Sequence, residues 1–489
     1  MQKIKKGVLL LALFFVSIQA LEAQISGNNL LEYQYGKLPS DNSKFSSAYD
    51  RAVVGYTYNA FKAGMTLEQF YTPFQERNYT QLTQYSLQYN SKIIDAKIGN
   101  FQETIGRGIL LRSFEIPGAI LEDLSYRSRH YFQRDILGFS THLKFHNFTT
   151  KIIYGKPLNN VYPPSQSNSL RRSDEIKAIY SDYSFHKQTI GIAVLDISNT
   201  SGNKLYTMAT VSGKVSPILS YYSEFAKEAS DGTFSDFSKT SSHAYYGNIN
   251  FTFEKLGISA EYKDYNDFLI GAGINEPPAL IKEHSYKVLN RSTHVVQPLN
   301  ETGHQIEMYY TFPDASTLTF NNAIARNKLG KEFVFKEYFV EYGFVIAAKH
   351  DAKIFLDYAE DPFKLEEKRI SAGTHFEWKT FKKATIKTEY EFQTFNRIGE
   401  NIQNHVLTLG YAYQSKLIFN IVTELSNDSF VTQSDLKSWI GTNVKYQLNT
   451  SNSLQLFGGQ RRGGPACNAG ICYEVLDFNG VELRWTARF

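Results

Sequence analysis

Cysteine occurs only twice in the 489 residues, tryptophan three times and methionine four times. Two thiols are too few for a disulfide-stapled scaffold or a four-cysteine metal site. Neither charge dominates: 52 Lys and Arg stand against 48 Asp and Glu, leaving a formal charge of +4. That balance excludes the basic footprint of a nucleic-acid-binding protein. Long apolar runs are also missing. Beyond the amino terminus no stretch approaches the roughly 18 residues of a membrane-spanning helix, and mean hydropathy is −0.34. No Ser, His and Asp spacing suggests a nucleophile with its base, so an enzyme is not expected.

The amino terminus combines a basic start, "MQKIKK", with the apolar core "GVLLLALFFVSI" and small residues before "QALEAQ" ends. This is the layout of a secretory signal peptide, expected over residues 1–23, and it places residues 24–489 in an exported domain. Aromatic residues make up 15% of the chain, with 33 Tyr and 36 Phe. Abundant aromatics at modest mean hydropathy fit a transmembrane β-barrel, which hides its apolar face by alternation and carries aromatic girdles at both interfaces.

The alternation is explicit. "ATIKTEYEFQ" (384–393) sets Ala384, Ile386, Thr388, Tyr390 and Phe392 against Thr385, Lys387, Glu389, Glu391 and Gln393. "HVLTLGYAYQ" and "SWIGTNVKYQL" repeat it, with Leu407, Leu409, Tyr411 and Tyr413, then Ile440, Val444, Tyr446 and Leu448, on the apolar side. Successive strand residues point to opposite faces, so each segment has one lipid face and one lumen face. Tight connections at 313–316, 349–352, 414–416 and 449–452 take turns with longer polar ones at 227–243, 396–403 and 426–435. That contrast predicts an antiparallel outer-membrane barrel of about 24 strands, within a range of roughly 20 to 24.

"ISGNNLLEYQYG" is the expected first strand, closing against the terminal "VELRWTARF". In the latter Val481, Leu483, Trp485, Ala487 and Phe489 face lipid, and Glu482, Arg484 and Arg488 face the lumen. Trp485 and the terminal Phe489 resemble the carboxy-terminal signal by which such barrels are recognised for insertion. Too few residues precede the second strand, "DRAVVGYTY", for the plug domain of energised transporters.

Two stretches break the strand-and-turn rhythm. In residues 99–129 Glu103, Arg107, Arg112, Glu115, Arg127 and Arg129 cannot face lipid, where a mid-depth charge costs on the order of 2–4 kcal/mol. They are expected to cross-link the barrel interior as part of a strand pair, or else to form a constriction. Gly99, Gly106 and Gly108 make no nucleotide fingerprint, because no strand–helix unit follows. Residues 266–303 form the longest connection, which base rates predict to be functional or folded inward. Within it His284, Arg291 and His294 are expected to bond the loop to the barrel wall, with anion or metal binding the rarer alternative. Cys467 and Cys472, in "GGPACNAGIC", are expected to form a disulfide in an oxidising compartment, closing a small loop worth roughly 2 kcal/mol.

"GNFQETIGRGILLRSFE", "EPPALIKEHSYKVLNRSTHVVQP" and "GVELRWTARF" together resemble an uncharacterised outer-membrane barrel family of Bacteroidota, catalogued as a domain of unknown function. The resemblance covers nearly all of the exported part. It implies a barrel in a Gram-negative outer membrane and brings no activity, cofactor or site residue with it. Gly106-Arg107-Gly108 departs from the family's Gly-Ser-Gly or Gly-Asn-Gly and adds a cation to that turn. The expected partners are membrane lipid and the barrel-insertion machinery. The expected function is a non-enzymatic, porin-like channel with a polar, partly filled lumen and no cofactor. The alternative is an accessory barrel bound to other outer-membrane proteins in a secretion, insertion or uptake assembly.

Overall fold

The computed structural model describes residues 24–38, 41–158, 163–165, 171–200, 202–229, 242–271, 273–295, 299–329, 331–380, 383–432, 436–468 and 471–489. The expected signal peptide lies outside these residues. So do most of the expected loop at 227–243, over 230–241, and the end of the one at 426–435, whose described part includes the short helix Ser429–Thr432.

Twenty-four antiparallel strands form one closed sheet. Each wall strand pairs with the next in chain order, and the first, Gln24–Lys37, pairs with the last, Phe478–Arg488. At this seam Asn28 lies opposite Arg488 and Gly36 opposite Gly480. The terminal residue joins it: the Phe489 amide donates to Gly27 O at 3.1 Å and the Gly27 amide to Phe489 O at 2.8 Å.

Burial follows the two-residue period, inverted relative to a water-soluble protein. Along the first strand Leu31, Tyr33 and Tyr35 are exposed while Glu32 and Gln34 are 1% exposed. On the last strand Val481, Leu483 and Trp485 are exposed and Glu482 is buried. Ile386 and Tyr390, Leu407 to Tyr413 in steps of two, and Ile440 and Tyr446 also point outward. An apolar outer wall on a closed cylinder leaves no unpaired edge and no exposed backbone polar groups, which is what spanning lipid with strands requires. No helix among the described residues is long and apolar enough to cross a membrane. The protein is an outer-membrane β-barrel.

The connections sort by rim. Among the described residues, one rim holds both ends of the barrel and tight turns such as Ala347–Lys349 and Gln414–Lys416, and the other holds the long excursions. One expected loop is corrected. Residues 396–403 are almost wholly strand, because Ala384–Arg397 and Glu400–Tyr413 run up to a two-residue turn at Ile398 and Gly399. Both have positive φ, 49° and 82°, which is the geometry whose twist matches a hairpin. The polar residues around the turn gave it the look of a longer loop.

Inside the cylinder lie two segments that leave the long-loop rim. The first, residues 102–135, connects the neighbouring wall strands Ile94–Phe101 and Ile136–Phe145. It carries the small pairs Thr104–Ile105 with Leu111–Arg112 and Phe114–Glu122 with Arg129–Arg134. Of the expected stretch 99–129, only Gly99 to Phe101 belong to the wall. The second, residues 267–299, connects Leu256–Asn266 to Asn300–Thr311 and contains the short helix Lys287–Arg291.

Candidate functional site: the segment-filled barrel interior

In the first segment, Gly106 and Gly108 have φ of +62° and +97°, a left-handed backbone that side chains disfavour. A Cβ on Gly106 would strike the Glu224 carboxylate of the wall strand Leu219–Glu228. The glycines let the turn press its backbone onto that carboxylate. The Arg107 amide donates to Glu224 Oε2 at 2.9 Å and the Tyr222 hydroxyl to the same oxygen at 2.6 Å. The Arg107 guanidinium lies over the Tyr222 ring, 5.0 Å from its centroid, and stays exposed.

Glu103 is held by three wall groups. His142 Nε2 is 2.6 Å from its Oε1, the Ser140 hydroxyl donates to that oxygen at 3.2 Å, and Lys151 Nζ is 3.7 Å from Oε2. Burial alone would push its pKa up, but the His142 contact and the Lys151 charge outweigh it and hold the carboxyl below its usual range.

Arg127 and Arg129 form the other end of this segment. Arg127 is fully buried, donating to Glu122 Oε2 at 2.5 Å and to Asp477 O at 2.6 Å. Arg129 contacts Glu32 Oε2 at 2.8 Å, Glu122 Oε1 at 3.3 Å and Glu482 Oε2 at 3.7 Å. Glu32 is on the first wall strand and Glu482 on the last. One buried guanidinium thus fastens the segment to both sides of the closing seam. Arg112 lies 5.7 Å from the Phe114 centroid, and Glu115 is exposed.

The second segment runs along the inner wall and meets a succession of carboxylates. Lys282 reaches Glu307 at 2.5 Å, His284 Glu337 at 3.3 Å, and the Tyr286 hydroxyl Glu341 at 2.5 Å. The Val288 amide then donates to Glu391 at 2.9 Å, and Arg291 grips Glu424 with both terminal nitrogens, at 2.5 and 3.0 Å. His294 closes the series between Asp361 at 3.1 Å and Glu301 at 3.5 Å. All three long-loop candidates therefore contact wall carboxylates. Burial opposes charge on His294, yet these two carboxylates raise its pKa above the ordinary 6.5.

The segments also join each other. The Arg112 amide donates to Ile274 O at 2.8 Å, the Glu276 amide to Gly108 O at 3.1 Å, and the Asn275 side chain to Ile109 O at 3.0 Å. Between segments and wall remain cavities of about 570, 390 and 340 Å³. Arg107 and Arg112 line the middle one, with Glu261 and Glu283.

Cys467 and Cys472 are register partners in the small hairpin of Gly464–Asn468 with Ile471–Val475. Their side chains lie outside what is described, and the structure does not support the expected disulfide. It also adds what sequence reasoning did not single out: Arg369 inside Glu337, Asp357 and Glu366 at 3.3, 3.6 and 2.9 Å, the wall carboxylates themselves, and Lys287 and Arg462. The available signal was charge recurring at inward strand positions, as in Glu389 and Glu391.

No curated protein matches the chain. Solved structures similar to it include OccK3 (OpdO) of Pseudomonas aeruginosa, at 11% identity and a TM-score of 0.43 over 76% of this chain and 96% of that one. OccAB3 of Acinetobacter baumannii follows at 9% and 0.38, over 69% and 93%. The outer membrane protein OpdK of Pseudomonas aeruginosa stands at 11% and 0.40, over 76% and 99%. Residues 215–489, more than half of the chain, match the family of unknown function DUF6029, and the protein belongs to that family.

Proposed function

We propose that the protein is a porin-like channel for small solutes, with a polar lumen narrowed by its own inward segments. The observation that supports this most is the space left between segments and wall, cavities of up to about 570 Å³ bordered by basic and acidic side chains such as Arg397, Glu366 and Asp428. A barrel interior meant only as packing would be filled by interdigitated side chains. Arg107 and Glu115, candidates for the narrow section, stay exposed.

A second reading rests on the pairing itself. Arg129 is saturated by Glu32, Glu122 and Glu482, and opposite charges that neutralise one another block a pore more readily than they select ions. That favours an accessory barrel in a larger outer-membrane assembly. Planar-bilayer recording of the purified chain separates the two. Stepwise conductance that rises when residues 270–295 are deleted supports the channel. Silence of both proteins, with other barrels co-purifying, supports the accessory role.

A further inference from the structure

An imidazole stands on the outer face of the wall among apolar neighbours. His405 opens the alternating segment "HVLTLGYAYQ", and residues opposite one another in a sheet share a face. On its row Leu356 lies opposite Ala372, Ala372 opposite Phe392, and Phe392 opposite His405. Leu356 is exposed to the outside, so the row is an outward one. The next row, Ile354, Thr374, Tyr390 and Leu407, is exposed throughout. Two residues nearer the long-loop rim the outward side chain is the polar, exposed Gln403, and on the other side Leu407, Leu409 and Tyr411 carry the apolar band. His405 therefore stands at the edge of that band, the depth at which acyl chains give way to headgroups.

Beside it the wall is hollow. Ala372 and Thr374, small outward residues of the strand Glu366–Lys379, lie between Ile354 and Leu356 on one flank and Tyr390 and Phe392 on the other. They bound a cavity of about 680 Å³ that His405 also lines, and apart from Thr374 and His405 its lining is aliphatic and aromatic. The Tyr390 hydroxyl and His405 Nδ1 are 2.9 Å apart. The imidazole brings at least one N–H and the phenol one O–H, and the bond between them uses a single donor. One donor is left over whichever ring nitrogen carries the proton, and it has no acceptor among the described residues. An unanswered donor facing hydrocarbon is costly. An ester-linked acyl chain supplies both missing parts: methylenes for the hollow, and at its head a carbonyl oxygen for the donor.

We infer that this outer hollow is a lipid site, seating one ester-linked acyl chain of a bilayer lipid whose carbonyl oxygen accepts a hydrogen bond from the His405 and Tyr390 pair. The hollow is continuous with the lipid-facing wall, which makes lipid its occupant. A second copy of the chain packed symmetrically on this face would bring the same apolar rows and another leftover donor in place of a carbonyl. The inference goes beyond the channel reading and holds whether or not the barrel conducts.

The test is native mass spectrometry of the full chain in detergent, offered an equimolar mixture of a diester phosphatidylethanolamine and its diether analogue of equal chain length. The two lipids differ only in the carbonyl groups. The diester should stay bound in preference to the diether by about threefold or more, the ratio that one net hydrogen bond gives. The His405→Phe, Tyr390→Phe double variant keeps both rings and removes every donor, so the preference should vanish. Thr374→Phe fills the hollow from the lipid side and should lose the retained lipid of either kind. Equal retention of the two lipids by the unaltered protein, no retained lipid, a preference that survives the double variant, or a second copy of the chain retained in place of lipid would each overturn the inference. The comparison on the unaltered protein needs no variant to fold. Conductance does not enter the readout, so failure here leaves the channel reading as it stands.

Discussion

Individual side chains in this barrel act mainly as fasteners between wall and inward segments. Arg129 illustrates the energetics. Its attraction to Glu32 and Glu482 offsets the desolvation of all three groups, so removing one partner leaves buried charge uncompensated. Arg129→Met should lower stability by about 3–5 kcal/mol, measured by denaturant unfolding in detergent. The Arg129→Met, Glu32→Gln double variant should lose less than the sum of its parts, since the orphaned carboxylate is then neutral. His294 makes a pH-dependent contribution. Its folded pKa is raised by Asp361 and Glu301, so its stabilisation is fully present below 6.5 and is lost as pH rises through the folded value. Lys263 pairs with Glu301 at 2.5 Å, and Lys364 and Arg369 stand near Asp361, so cations also face both carboxylates. Melting temperature should therefore fall as pH rises above about 6.5, and His294→Gln should flatten that part of the profile.

At the scale of elements, the terminal strand does two jobs. It presents an apolar outer face and completes the sheet, with Phe489 bonded to Gly27 in both directions. Deleting Phe489 removes that last pair and the aromatic end of the insertion signal. We expect reduced outer-membrane levels in a fractionation assay; unchanged levels would contradict the signal. A second outcome concerns the hairpin of Cys467 and Cys472. It is a two-stranded sheet separate from the wall sheet, so replacing both with Ser should leave assembly unchanged, as judged by heat-modifiable gel migration. The inward segments are elements of another kind. Their ends are neighbouring wall strands, so neither interrupts the sheet, and each can fold against an inner wall already in place.

For the whole molecule, the deciding quantity is which face of the sheet is apolar. Tyr33, Leu483 and Trp485 lie outside and Glu32, Gln34 and Glu482 inside, the reverse of a water-soluble sandwich. The protein should stay with membranes through alkaline carbonate and high salt and leave them only with detergent. Release by carbonate would contradict a lipid-facing wall. Much of this organisation was legible in the chain. The seam between "ISGNNLLEYQYG" and "VELRWTARF" and the two irregular stretches could be found from periodicity and its failure. The loop at 396–403 could not, because strand length near a rim is set by pairing with the neighbour. The site was legible only in part: His284, Arg291 and His294 stood out by type, whereas Lys287 and Arg462 looked like ordinary surface cations.

The sequence by itself determined the barrel, because a two-residue period fixes which side chains meet lipid and which do not, strand by strand. It also marked 99–129, by its charges, and 266–303, by its length, as stretches that break the strand-and-turn rhythm. Tertiary structure alone decided which inward charge meets which. Partners such as Arg129 and Glu482, or Arg291 and Glu424, are far apart along the chain and become neighbours only when the cylinder closes around its two segments.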